Sequence, residues 1–89
     1  MDKFEELVRQ ERVVQEAKWG EQNHDSFVWM PILMEEVGEV AEAILYNGFG
    51  GKKHPDKDIE HELTQVAAVC KAIWECGKRN GWVKEHQDG

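Results

Sequence analysis

The sequence predicts an all-α domain of three main helices, whose four-helix-bundle core is completed by oligomerisation. Two observations carry this. Apolar residues recur at steps of three and four in three separate segments, with no run of strand-like alternation between them. Each segment is closed by glycine, alone or after asparagine, where a helix ordinarily stops. The chain has 89 residues, so it buries only a modest fraction of its surface, and three amphipathic helices of this size leave apolar faces uncovered. A homodimer or homotetramer would cover them.

The first helix is expected from about Lys3 to Trp19. Asp2 followed by Glu5 has the form of a capping box, Gly20 is a terminator, and Phe4, Leu7, Val14 and Ala17 form a thin apolar stripe. Residues 21–26 (EQNHDS) make a polar connection. The second helix begins between Ser26 and Pro31 and ends near Tyr46, with Pro31 placed in its first turn, where a missing N–H costs little. Residues 47–57 (NGFGGKKHPDK) read as a flexible Gly-rich, basic loop. The third helix starts near Asp56 or Asp58 and ends at Glu75 or Cys76 before Gly77, with a turn at residues 78–81. Residues 82–89 form a short helix or a frayed tail. No linker divides the chain, so residues 1–89 are read as one domain.

Composition narrows the function classes. Eighteen acidic against eleven basic residues give a formal net charge of −7. Such a chain repels phosphate backbones, which argues against a nucleic-acid partner. An anionic small substrate would be repelled too, unless divalent cations stood between it and the protein. No apolar stretch reaches the roughly 20 residues that span a bilayer. The opening residues MDKFEELVRQER lack a secretory h-region, so the expectation is a soluble, cytoplasmic protein without a membrane partner. The two cysteines, Cys70 and Cys76, match neither CxxC nor a zinc-finger spacing and read as buried, unreactive thiols.

Helical residues advance by about 100° each, so spacing converts to direction. On the second helix Leu33, Val37, Val40 and Ile44 form a core-facing stripe; Glu36 lies about 60° and Glu39 about 120° to one side of it. On the third, Ile59, Leu63, Val66, Cys70 and Ile73 form the stripe, and Glu62 and Gln65 occupy the same two angles on the same side. EVGEVA (36–41) and ELTQVA (62–67) thus carry equivalent i, i+3 polar pairs at the border of the buried face. Asp58 lies on the same flank. If the two helices pack antiparallel, three carboxylates and an amide converge, and hard oxygen donors gathered on one point suit Mg²⁺ or Mn²⁺. Without such convergence, an i, i+3 glutamate pair is merely a solvated helix face.

These residues resemble the MazG-like, all-α nucleoside triphosphate pyrophosphohydrolases, whose signature is EExxE on one helix and ExxD on the next. Glu35-Glu36-Val37-Gly38-Glu39 matches the first part, and Glu62-Leu63-Thr64-Gln65 matches the second except at its last position. LMEEVGEVAEAI is especially similar, and KWGEQNH (18–24) looks like the N-terminal part of phage-type members. The resemblance spans roughly residues 10–76. It implies Mg²⁺-dependent cleavage of a nucleoside triphosphate to monophosphate and pyrophosphate, with Glu36, Glu39 and Glu62 as metal ligands. Glu35 would be a neighbouring ligand, a group orienting a ligand from behind, or the base that takes a proton from the attacking water. Gln65, standing where the family has Asp, supplies an oxygen but no charge; Asp58 would compensate.

Substrate contacts are expected from Trp19 and Trp29, stacking on a base unless they fill a core or subunit contact as buried aromatics usually do. Asn23 and His24 would touch base or sugar. Lys52 and Lys53 of the Gly-rich loop would meet the terminal phosphates, with Lys78 and Arg79 as further candidates. Two rivals stand beside this reading. A di-iron or di-manganese carboxylate protein would use Glu21 with His24 and Asp58 with His61, but His61 points away from the core stripe. An oligomeric nucleotide-binding module without turnover would share the fold and lack pyrophosphate release.

Overall fold

The computed structural model describes residues 1–48 and 58–84. Three helices follow in order: α1 Lys3–Trp19, α2 Ser26–Gly48 and α3 Ile59–Asn80, with no strand among the described residues. None of these helices is long and apolar enough to cross a membrane.

The boundaries show which local signals decided. Asp2 caps α1, its carboxylate accepting the Glu5 N–H at 2.8 Å, and Gly20 closes the helix at φ 72°. Asp25 caps α2 by accepting from the N–H groups of Phe27 at 2.9 Å and Val28 at 3.1 Å. The helix therefore starts at Ser26, and Pro31 falls in its second turn instead of its first. Proline removes a single donor there without stopping the helix. At the other end, Gly77 does not terminate α3. The helix continues through Lys78, Arg79 and Asn80 to Gly81, whose φ of 82° makes it the true stop. Gly77 is needed for another reason: a Cβ there would lie 2.9 Å from Val83 Cβ, because the chain folds back after Gly81. Trp82 and Val83 both donate their N–H to the Gly77 carbonyl, at 2.9 and 3.0 Å.

α3 is the central element, with α1 and α2 each packed on it and not on one another. Its apolar seam with α2 is small: Trp29, Val69, Ala72 and Cys76, supported by Ile32, Leu33 and Ile73. Trp29 near the start of α2 meets Cys76 near the end of α3, so the two helices run antiparallel, as the paired carboxylates required.

The buried faces differ from those the apolar periodicity predicts. Phe4 and Val14 of α1 are exposed, and what α1 buries is Arg12 and Gln15. Arg12, 8% exposed, donates from Nε and a terminal nitrogen to Glu75 at 3.0 and 2.6 Å, and also reaches Gln15 at 3.1 Å and Glu16 at 2.8 Å. A buried charge held by that many acceptors pins α1 to α3 where an apolar stripe was expected. On α2, Val37 and Ile44 are exposed; on α3, Leu63 and Cys70 are exposed. Cys70 is thus not a buried thiol, whereas Cys76 is, with its Sγ 3.3 Å from the His24 carbonyl. Trp74 and Phe27 are likewise exposed.

Candidate metal centre

Glu36 and Glu39 of α2 and Glu62 of α3 each bring a carboxylate oxygen within 4.8 Å of the others. Glu36 and Glu39 are half-buried and Glu62 is 6% exposed. The predicted border position is therefore too shallow for Glu62, which sits inside the helix–helix contact. One oxygen of Glu36, Oε2, is shielded from solvent and has no hydrogen-bond partner. Burial pushes the Glu36 carboxyl above its ordinary value, and repulsion from Glu39, Glu62, Glu35 and Glu11 pushes it further the same way. With no cation beside it, Glu36 resists ionisation; a cation would reverse that. An all-oxygen set of this size fits a hard divalent ion, since thiols and imidazoles are absent from it.

Glu36 and Glu39 open into a groove of about 270 Å³. α1 forms its far wall through Glu11, Gln15, Lys18 and Trp19, and α3 adds His61 and Gln65. Behind Glu36 and Gln65 lies a second cavity of about 160 Å³, walled by Trp19, Gln22, Trp29, Ile32 and Val69. Gln65 and Glu36 form part of both walls.

The other predicted site residues separate into groups. Glu35 is exposed on α2 and acts on Glu36 through space. Gln65 sits beside the carboxylates, as its spacing required. Asp58 does not join them: it caps α3, its side chain accepting the Glu60 N–H at 3.0 Å. A short carboxylate at that position reaches backbone donors of the first turn before it reaches a site further along the helix. Trp19 lies at the mouth of both cavities, exposed, with Lys18 Nζ 4.9 Å from its ring centroid. Trp29 is 3% exposed and belongs to the core, although its Nε1–H is buried without an acceptor and its ring lines the smaller cavity. His24 packs edge-on to Trp29, ring centroids 5.0 Å apart.

Asn23 has a different task from the one expected. Its carbonyl oxygen accepts from Arg79 at 3.2 Å and Asn80 at 3.0 Å, tying the α1–α2 connection to the end of α3. Arg79 also reaches Glu21 at 3.4 Å and the Gln22 carbonyl at 2.9 Å, so it too is spent on that tie. Lys78 rests over the Trp74 ring at 5.6 Å. Lys52 and Lys53 lie outside the described residues. Neither His24 nor His61 joins the oxygen cluster, which removes the geometric basis of the di-iron alternative among the described residues.

Sequence reasoning overlooked Glu11, Gln15 and Lys18. Their i, i+4, i+7 spacing puts them on one face of α1, and that polar stripe was the available signal. No protein-family model, curated protein or solved structure matches the chain.

Proposed function

We propose that the chain is a Mg²⁺-dependent nucleoside triphosphate pyrophosphohydrolase, assembled as at least a homodimer, with the resemblance to MazG-like enzymes expressing a real kinship. The observation that carries the reading is the convergence of Glu36, Glu39 and Glu62, from two helices, onto one point with a shielded, unpartnered oxygen of Glu36. A motif match alone leaves the carboxylates free to be a solvated face; their burial against α3 weighs against that.

Glu36, Glu39 and Glu62 would hold the cation. When bound, it would supply neutralisation of phosphate oxygens and acidification of a water. The chain's own groups do the rest. Glu35, exposed beside Glu36 on α2, would be a neighbouring ligand, a group orienting one from behind, or the base that takes a proton from the attacking water. Lys18, the one lysine or arginine lining the groove among the described residues, balances the carboxylates and meets a phosphate. Trp19 offers a face to the base at the mouth of the smaller cavity, whose lining holds no lysine or arginine and suits a neutral ring.

The test is pyrophosphate release from ribo- and deoxyribonucleoside triphosphates with Mg²⁺ and with Mn²⁺, for the wild type and Glu36→Ala. Equal turnover by the two proteins removes the assignment. Gln65 favours one second reading: with an amide where a fourth charge would stand, the chain binds nucleotide without cleaving it. Saturable nucleotide binding with no pyrophosphate released selects that reading.

A further inference from the structure

Gln15 and Arg12 are the residues that α1 buries, and Gln15, 4% exposed, lines both the carboxylate groove and the smaller cavity behind it. Its amide is not free to turn. The Arg12 guanidinium, itself 8% exposed, donates from Nη1 to the Gln15 side-chain oxygen at 3.1 Å. A guanidinium carries five N–H groups and no lone pair, so the atom facing it has to be the carbonyl oxygen; the reverse orientation would press donor on donor in a buried place. Arg12 is held in turn by Glu75 of α3 at 2.6 Å and Glu16 of α1 at 2.8 Å, which fixes it from two helices. The NH₂ end of Gln15 is thereby turned away from Arg12, and it makes no hydrogen bond among the described residues. A buried amide donor without an acceptor, on a wall shared by two cavities, is a place for an acceptor atom of a ligand.

We propose that Gln15 reads the base of the nucleotide, donating from Nε2 to a ring carbonyl, so that oxo-bearing bases are preferred over their amino counterparts. The inference rests on the nucleotide reading given above. Position decides which part of the ligand Gln15 meets. It stands four residues before Trp19 on α1, hence on the same face and one turn away from the ring offered to the base. The phosphates belong with the cation and Lys18 in the groove. The cavity that Gln15 shares with Trp19 has no lysine or arginine in its lining, so a neutral acceptor suits it better than an anion. Glu36, the one charged group in that lining, is assigned to the cation. Trp29 adds a second donor to the same walls: its Nε1–H, on a residue 3% exposed, has no acceptor. An indole nitrogen cannot accept, and with its oxygen taken by Arg12 neither can Gln15. A ring carbonyl brought to this edge finds its complement, whereas an exocyclic amino group meets another donor.

Nucleoside monophosphates test this apart from turnover, because the proposed cleavage leaves them untouched. Calorimetry with Mg²⁺ should show uridine over cytidine monophosphate, and inosine over adenosine monophosphate, by about tenfold, the scale of one hydrogen bond gained against a donor left facing a donor. Each pair keeps the ring size and exchanges an oxo for an amino group. Gln15→Glu keeps an oxygen for Arg12 and turns the ligand-facing end into an acceptor, so the order should reverse in both pairs with helical circular dichroism retained. Gln15→Met removes the donor and should bring both ratios to about one. Equal binding within both pairs by the wild type overturns the inference, as does a folded Gln15→Glu that keeps the wild-type order. So does the absence of any monophosphate binding at about 10 mM. Failure of the parent reading looks different: the oxo preference persists while no triphosphate releases pyrophosphate. Turnover without base preference removes the inference and leaves the enzyme.

Discussion

Replacing Glu36 by Gln should raise stability without divalent ions and abolish the stability that such ions confer. Glu36 shares a 4.8 Å cluster with Glu39 and Glu62. Each such neighbour costs about 1 kcal/mol of repulsion in a water-like dielectric. Solvent around the half-buried Glu36 and Glu39 screens part of this, leaving about 1 kcal/mol to be relieved on neutralisation. For a domain this size that is about 4–8 °C in Tm. In the wild type, an ion at about 100 times its Kd should add about 2.7 kcal/mol, which reverses the order of the two proteins. The assay is thermal unfolding in EDTA and in graded Mg²⁺ and Mn²⁺. pH supplies a cross-check. The folded Glu36 carboxyl lies above its ordinary 4.5, so between the two values the folded state holds more protons than the unfolded one. Its contribution in EDTA is therefore most favourable below 4.5 and declines as pH rises through the folded value. A variant less stable than wild type in EDTA, or equally stabilised by Mg²⁺, would refute the reasoning.

Four further outcomes are expected. Arg12→Ala should lower stability by about 2 kcal/mol in urea titrations, less than for a fully buried pair because Glu75 and Glu16 keep some solvent. Gly77→Ala should cost about 1–3 kcal/mol through collision with Val83, measured the same way. Asp58→Ala should cost about 1 kcal/mol as a lost cap while leaving Mn²⁺ affinity, read by calorimetry, unchanged. Gln65→Asp should lower stability in EDTA and tighten Mn²⁺ about fivefold, the effect of roughly 1 kcal/mol from one added charge; no change in either quantity would mean that Gln65 does not face the ion.

Helix identity was legible because it rests on local chemistry. Asp2 and Gly20 bracket α1 where capping residues should. Gly77 misled because a glycine mid-helix and a glycine past the end look alike in a linear string; only the return of Val83 distinguishes them. The acidic convergence was legible too, since i, i+3 spacing on two antiparallel helices transfers directly to a groove. Its depth was not. Periodicity assigns one face to each helix, yet α3 buries a broad arc against two neighbours and leaves Leu63 and Cys70 of its apolar row exposed. The Arg12 tie escaped for the same reason: polarity scales place arginine outside, and its acceptor Glu75 is distant in sequence.

The position of Glu62 is the strongest reason to look for a ligand. At 6% exposure it is buried on α3, and it faces two further carboxylates there. Replacing one of these three carboxylates by an uncharged side chain would relieve their mutual repulsion. Local rules are broken in this way where a side chain serves something besides the fold. A dication entering among three like charges would turn their repulsion into attraction, so the residues that crowd the empty cluster would strengthen a loaded one.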